Sequence, residues 1–195
     1  MQRIVVSVTN DLITDQRVHK VCSTLVGMNF DVLLIGRKLQ SSLPLSRNYK
    51  TSRMKLLFNS GFLFYAEYNF RLFFRLLFLK KDILLSNDLD TLLPNFLISK
   101  LLRKKLVYDS HELFTEIPEL IDRPRVQYFW RKIERMTLPK VKNCYTVSSS
   151  IASYYKDTYD SDFEVIRNVP YKKSNNSEPV LASLTNTKRL LSKIN

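Results

Sequence analysis

The sequence predicts one α/β domain built on a mainly parallel sheet with helices on both faces. Three observations carry this. Apolar runs of strand length alternate with helix-period segments in the order β-α-β-β-α-β-α-β-α-β-α-β. The runs are nearly continuous rather than alternating, as in strands buried on both faces. The chain has 195 residues, 45% hydrophobic and 25% charged, which fits one globular core with a short tail and excludes a disordered chain.

Residues 3–8 centre on Ile4, Val5 and Val6 and read as a strand. Residues 14–28 set Val18, Val21, Cys22 and Leu25 on one face of a helix, with Thr14 as its cap and Asp15 favoured by the helix dipole. Residues 30–35 are a second strand, ended by Gly36. Residues 37–53 are polar and irregular, with Pro44, and read as an excursion. Residues 54–58 are a short strand before the turn signal Asn59-Ser60-Gly61. Residues 62–79 are a long aromatic helix, 82–86 a strand, and 89–102 a helix with Pro94 near its first turn. A strand at 105–108 leads to a loop or short helix at 109–118. Residues 124–138 form a helix stopped by Pro139. A strand at 143–147, a helix at 148–159 and a strand at 163–166 complete the domain, residues 1–170. Residues 171–179 are polar and linker-like, and 180–195 carry only a weak helical pattern, so 171–195 read as a linker and truncated tail.

Lys and Arg number 31 against 18 Asp and Glu, a net charge of +13, which calls for a polyanionic partner. No helix-turn-helix, zinc-finger or RNA-binding aromatic motif accompanies the charge, so nucleic acid is not expected. Cys22 and Cys144 share no metal-ligand spacing and read as buried free thiols in a reducing compartment. His19 and His111 lie far apart, so no metal site is expected. The chain opens on a strand-like segment with no charged-then-apolar leader, which points to the cytoplasm.

In doubly wound sheets, ligands bind outside the carboxyl ends of the strands. Three polar clusters fall on that edge: Thr9-Asn10-Asp11, the run from Ser86 to Asp90, and the run Asp109-Ser110-His111-Glu112. Asn and Asp there can hydrogen-bond sugar hydroxyls, or they can serve only as turns and caps; for Asp88 and Asp90 both roles stand open. His19 lies beside the apolar face of its helix and reads as structural. His111 sits in a loop between acidic neighbours and reads as functional. The three glycines are Gly27, Gly36 and Gly61, and none follows the first strand. A glycine-rich phosphate loop is therefore excluded, and with it the dinucleotide and ATP readings.

The segment "FLFYAEYNFRLFFRLLFLKK" has the length of a membrane span, but Glu67, Arg71 and Arg75 form a charged stripe along it. Its apolar surface, Phe62, Leu63, Phe64, Phe70, Phe73, Phe74, Leu77 and Phe78, is wider than a sheet face needs. Residues 123–138 set Val126, Phe129, Trp130 and Ile133 opposite Arg125, Arg131, Lys132 and Arg135. Each segment reads equally as a core helix with a solvated basic face or as a contact with an anionic leaflet. Taken with the net charge, they favour peripheral membrane contact through Arg71, Arg75, Trp130 and Arg131.

Four motifs occur in order: "VTNDLITDQRVHK", "SNDLDTLLP", "VYDSHELF" and "VIRNVP". Together they resemble the N-terminal domain of the family 4 glycosyltransferases, over residues 1 to 170. The resemblance implies a Rossmann-like domain, one half of a GT-B fold, that binds the acceptor while a second domain holds a nucleotide-sugar donor. The implied reaction is sugar transfer without a bound metal or cofactor, in cell-surface glycan synthesis, to a glycan or lipid-linked acceptor, on the inner face of the membrane. It makes His111 the catalytic candidate, positioned by Asp109 and Glu112, and sets Asn10, Asp11, Asp88 and Asp90 toward the acceptor. The second domain's acidic Glu-x7-Glu pattern is absent from the tail, so the chain alone is expected to be inactive. The alternative is a non-catalytic, membrane-associated module binding a glycan or lipid-linked anion. A phosphosugar isomerase or epimerase is disfavoured by the missing glycine loop.

Overall fold

The computed structural model describes residues 1–168; the tail at 171–195 lies outside the described residues. Its centre is β1 (Arg3–Asp11), whose valines and Ile4 are fully buried. Parallel strands flank it on both sides: β2 (Asp31–Lys38) and β4 (Ile83–Asn87) pair with β1, so that Ile4 lies opposite Val32 on one side and Ile83 on the other. β3 (Lys50–Lys55) closes one edge, and β5 (Lys105–Ser110), β6 (Asn143–Thr146) and β7 (Glu164–Val165) extend the other. The order is β3-β2-β1-β4-β5-β6-β7, every pair parallel. The direction of winding reverses between β1 and β4, which opens a crevice at their carboxyl ends.

Alternation along each strand divides the core in two. Ile4, Val6 and Val8 of β1, Ile83 and Leu85 of β4 and Val107 of β5 face α1 (Gln16–Gly27), which contributes Val18, Cys22 and Leu25. Val5, Leu84, Leu106 and Tyr108 face the other way, against α2 (Gly61–Phe78), α3 (Leu89–Leu101), α5 (Pro124–Thr137) and α6 (Ser149–Tyr159). A short α4 (Pro118–Ile121) leads into α5. Both cysteines are free and buried, and burial pushes the Cys144 thiol up to about 12.

The third strand lies earlier than its expected 54–58. β3 is a sheet edge with only Met54 buried, so its polar residues carry no apolar signature. The α1 cap is Asp15 rather than Thr14: the Asp15 carboxylate accepts from Val18 N at 2.9 Å, while the Thr14 hydroxyl donates to the Asp11 carbonyl.

Pro94 lies just past the first turn of α3, inside the helix. It has no N–H to give the carbonyl four residues back, that of Asp90. Asn69 of α2 takes over: its side-chain amide donates to Asp90 O at 2.9 Å and to Tyr65 O at 2.8 Å. The proline thus ties α2 to α3 just behind the crevice. Asn69→Ala is expected to cost about 1–2 kcal/mol in urea unfolding, by stranding a buried acceptor. In a Pro94→Ala background, where position 94 regains its N–H, the loss should shrink; equal losses in both backgrounds would sever the link.

Candidate functional site

The first strand ends over its neighbour. A Cβ at Gly36 would meet Leu12 Cδ2 at 2.3 Å and the Asn10 carbonyl at 2.8 Å, so only glycine allows β1's tail to cross β2 there. The crossing aims α1 so that its first turn faces the crevice. Arg17 sits in that turn, at the positive end of the helix, where a cation is disfavoured by roughly 0.3–1 kcal/mol. Two carboxylates reverse the balance. Arg17 donates to Asp109 at 2.5 Å and to Asp88 at 3.3 Å. Burial works against its charge, but Asp109 and Asp88 outweigh it and hold the guanidinium protonated above its ordinary range.

Asp88 passes the network on. Its second oxygen accepts from His111 Nδ1 at 2.6 Å and from the His111 backbone N–H at 3.4 Å. A carboxylate only accepts, so Nδ1 carries the proton and Nε2 is the nitrogen left for another partner. Burial would lower the His111 pKa; the hydrogen bond and charge of Asp88 overcome it and raise the value. Asp88 holds this position at φ 58° and ψ 168°, backbone that side chains avoid at a cost of about 1–3 kcal/mol. Its N–H donates to Asp109 O at 2.8 Å. It stands where a cap for α3 would stand, yet makes no capping bond; the carboxylate is turned into the crevice.

The five other expected positions divide. Asp109 is inside the network, though it holds Arg17 and not His111. Burial pushes its carboxyl up to about 6 against the pull of Arg17. Asp90 is buried and accepts from the Thr9 hydroxyl at 2.5 Å, so it joins β1 to α3. Asp11 accepts from Ile13 N in its own turn and from the Ser42 hydroxyl in the segment after β2. Asn10 is exposed and donates to Asp15 at 3.1 Å. Glu112, exposed, points away from His111 into a groove between α2 and α5. The histidine is therefore held through its hydrogen bond to Asp88, with Asp109 acting through Arg17 and Glu112 contributing only its charge. His19 bonds Tyr49 at 2.9 Å, in keeping with a structural role.

Beside the network lies a cleft of about 380 Å³ lined by Arg17, His111, Val147, Arg167 and Asn168. Arg17 and Arg167 were not among the expected residues. The signal for Arg17 was an arginine at the wrong end of its helix; Arg167 comes next to the crevice only through the return of the chain after β7. Of the expected membrane residues, Arg75 is exposed. Arg71 is tied to Glu67 at 2.7 Å, and Arg131 to Glu116 at 3.0 Å. Trp130 is a correction: at 4% exposure it is enclosed by Tyr65, Phe114 and Phe129 and meets no outer surface.

A family model described as Glycosyltransferase Family 4 matches residues 15–170. No curated protein sequence matches the chain. Among solved structures, sucrose-phosphate synthase from Thermosynechococcus elongatus aligns at a TM-score of 0.64 and 12% identity, over 88% of this chain and 49% of that one. The glycosyltransferase SsfS6 from Streptomyces sp. SF2575, complexed with thymidine diphosphate, aligns at 0.55 and 12%, over 91% and 56%. The UDP-GlcNAc 2-epimerase from Methanocaldococcus jannaschii aligns at 0.51 and 14%, over 84% and 44%. This chain thus spans about half the length of those proteins. At such identities the likeness is one of fold, Rossmann-like as in GT-B glycosyltransferases, and an epimerase sharing it shows that fold alone does not choose a reaction.

Two measurements test the network. In NMR titration, Asp88→Asn is expected to lower the His111 pKa, since burial and Arg17 remain while the partner charge is gone; Asp88→Gly should do the same but unfold at higher denaturant than Asp88→Asn, because glycine relieves the positive φ. An unmoved His111 pKa would remove Asp88 from its role. Burial also pushes the Asp90 carboxyl up to about 7. An acid held above its unfolded value of about 4 binds its proton more tightly when folded, so its contribution to stability falls as pH rises through 7. Asp109 acts with the same sign at lower pH. Asp90→Asn should flatten the fall between pH 6 and 8; a slope kept intact would assign it to another group.

Proposed function

The chain belongs to glycosyltransferase family 4, and we propose that its domain holds the acceptor while a sugar passes to it from a nucleotide-sugar donor on a facing domain. The observation that carries this is His111, which lines the cleft and is held through Nδ1 by Asp88 at the switch point of the sheet, leaving Nε2 for another partner. There it hydrogen-bonds the transferred sugar or the incoming hydroxyl and orients the two. Arg17 acts through Asp88 and Asp109 rather than on substrate. Arg167, which carries no ion pair among the described residues, supplies positive charge to a phosphate-bearing ligand. Asn10, exposed on the first loop, is an acceptor contact. Asp88 and Asp109 serve as positioning groups, and Glu112 contacts the acceptor from the groove side.

The acceptor is a glycan or lipid-linked glycan of cell-surface synthesis, met at the cytoplasmic face of the membrane. No described helix is long and apolar enough to cross a membrane. Attachment instead uses the outer face of α2, where Phe62, Leu63, Phe70, Phe74 and Phe78 are exposed, the last at 82%. Arg75 lies on that helix, and α5 adds the exposed cations Arg125, Lys132 and Arg135. The same surface supports the second reading, a binding module without catalysis.

The purified chain of residues 1–195 is expected to show no transfer alone; transfer without a partner domain would overturn the division of labour. Joined to a donor-binding domain, His111→Ala should lower kcat by about 10²–10³ with a smaller change in acceptor KM. Unchanged turnover would remove His111 from the chemistry, and acceptor binding with no turnover in the joined protein would favour the non-catalytic reading. The chain should float with anionic vesicles in a salt-dependent way, more than it is retained on DNA at equal ionic strength, and a Phe70→Ser/Phe74→Ser variant should float less.

A further inference from the structure

The edge of the sheet opposite His111 carries a cluster of cations that the crevice does not use. Two returns from helix to strand meet there. Residues 79–82 lead from α2 into β4, and residues 102–104 lead from α3 into β5. β4 and β5 are parallel neighbours with Ile83 opposite Lys105, so the two returns lie side by side. Between them and the start of β1 is a pocket of about 590 Å³. That volume falls in the range of roughly 300–1,000 Å³ common to small-molecule sites.

Its charges do not balance. Arg3, Lys80, Lys81 and Lys104 line it against Asp31 and Asp82, a surplus of two positive charges. Both carboxylates are already engaged. Asp31 holds Arg3 at 2.5 Å and Lys50 at 3.0 Å, and the hydrogen bonds from Lys50 and Arg3 keep its carboxyl below the usual range. Asp82 accepts from the Arg3 backbone N–H at 2.8 Å. Lys80, Lys81 and Lys104 make no ion pair among the described residues.

Lys81 is the anomaly among them. A lysine ordinarily lays its stem along the surface and leaves its ammonium in water. Lys81 is 6% exposed, and its ammonium gives one of three donors to the Leu79 carbonyl at 2.9 Å. That bond closes the end of α2 and accounts for a lysine at this position. It does not account for a second cation placed near enough to repel the first: burial, and then the charge of Lys104, lower the Lys81 pKa. Two like charges set together at a pocket, neither matched by a carboxylate, repel each other until an anion joins them.

We propose that this pocket binds a small soluble phosphate monoester, with Lys81 and Lys104 meeting its phosphate and Lys80 at the rim. A phosphate dianion matches the surplus of two charges, and lysine meets phosphate as a point charge. Leu77, Leu79 and Leu102 give the body of the ligand an apolar wall. The pocket lies the length of the strands away from His111, so the inference goes beyond sugar transfer and stands whichever reaction the crevice serves.

The test is an NMR titration of the full chain with phenyl phosphate at fixed ionic strength, read at the amides of residues 80–82 and 103–105. Saturable shifts are expected there, with weaker binding of inorganic phosphate and none of phenol. Lys81→Met should abolish binding. Lys104→Gln, at a partly exposed position away from the end of α2, should weaken it roughly tenfold and carries the test where the buried change unfolds the protein. Lys38→Gln/Lys55→Gln removes cations at the far ends of β2 and β3 and should leave binding unchanged. An equal loss there would assign binding to the overall charge of +13 and overturn the site. Shifts at His111 with residues 80–82 silent would place the phosphate in the crevice and overturn it too. Vesicles of phosphatidic acid offer the same phosphate monoester on a lipid. If Lys80→Gln/Lys104→Gln abolishes flotation with them while phenyl phosphate leaves the unaltered chain unshifted, the cluster belongs to a membrane and the soluble ligand is overturned.

Discussion

One guanidinium organises the carboxyl edge of the sheet. Arg17 enters from α1 and reaches Asp109 at the end of β5 and Asp88 at the end of β4. Three segments far apart in sequence are thereby held together at the switch point. Removing any one charge from such a buried cluster strands the others, at a cost of about 3–5 kcal/mol for a broken buried pair. The cluster is therefore one unit. His111 inherits its position from it, because Asp88 can face the imidazole only while Arg17 balances its charge and the strained backbone at residue 88 is kept.

Behind this edge, a second layer of polar contacts prevents the crevice from relaxing. Thr9 holds Asp90, Asn69 holds the carbonyl that Pro94 leaves free, and Asn87 donates to Ser7 O at 3.1 Å across the β1–β4 boundary. Each bond crosses between elements rather than extending one. Buried groups satisfied in this way favour a single arrangement, since any slip would leave several unpaired. Two cavities of opposite character thus flank the end of β5. The one beside His111 is small and cationic, and the one beyond Glu112 is larger and aromatic. Consecutive residues, His111 and Glu112, line the two.

The alternation of strands and helices was legible because burial on both faces leaves a plain mark: Ile4-Val5-Val6, the run from Ile83 to Leu85, and Leu106-Val107 are apolar without interruption. β3 left no such mark, since an edge strand needs only Met54 inside. The site was legible in part. Residue type and strand-end position singled out His111, Asp88 and Asp109, and the sheet brings all three into one hydrogen-bonded network. Asp11 and Asp90 carried the same signature and proved to be turn and core groups, for a carboxylate looks alike in sequence whether it meets ligand or protein.

By itself, then, the sequence determined the class of fold, the strand count, the free buried thiols and the polar strand ends of one sheet edge, all consequences of local periodicity and residue type. Tertiary structure alone decided which carboxylate holds His111, that Arg17 is the hub, that Trp130 is enclosed, and that α2 and α5 leave a groove between them. Those outcomes depend on which strand ends become neighbours. That is set by the order β1-β4-β5 in the sheet, and neighbouring strand ends lie up to 80 or more residues apart along the chain, beyond the reach of any local pattern.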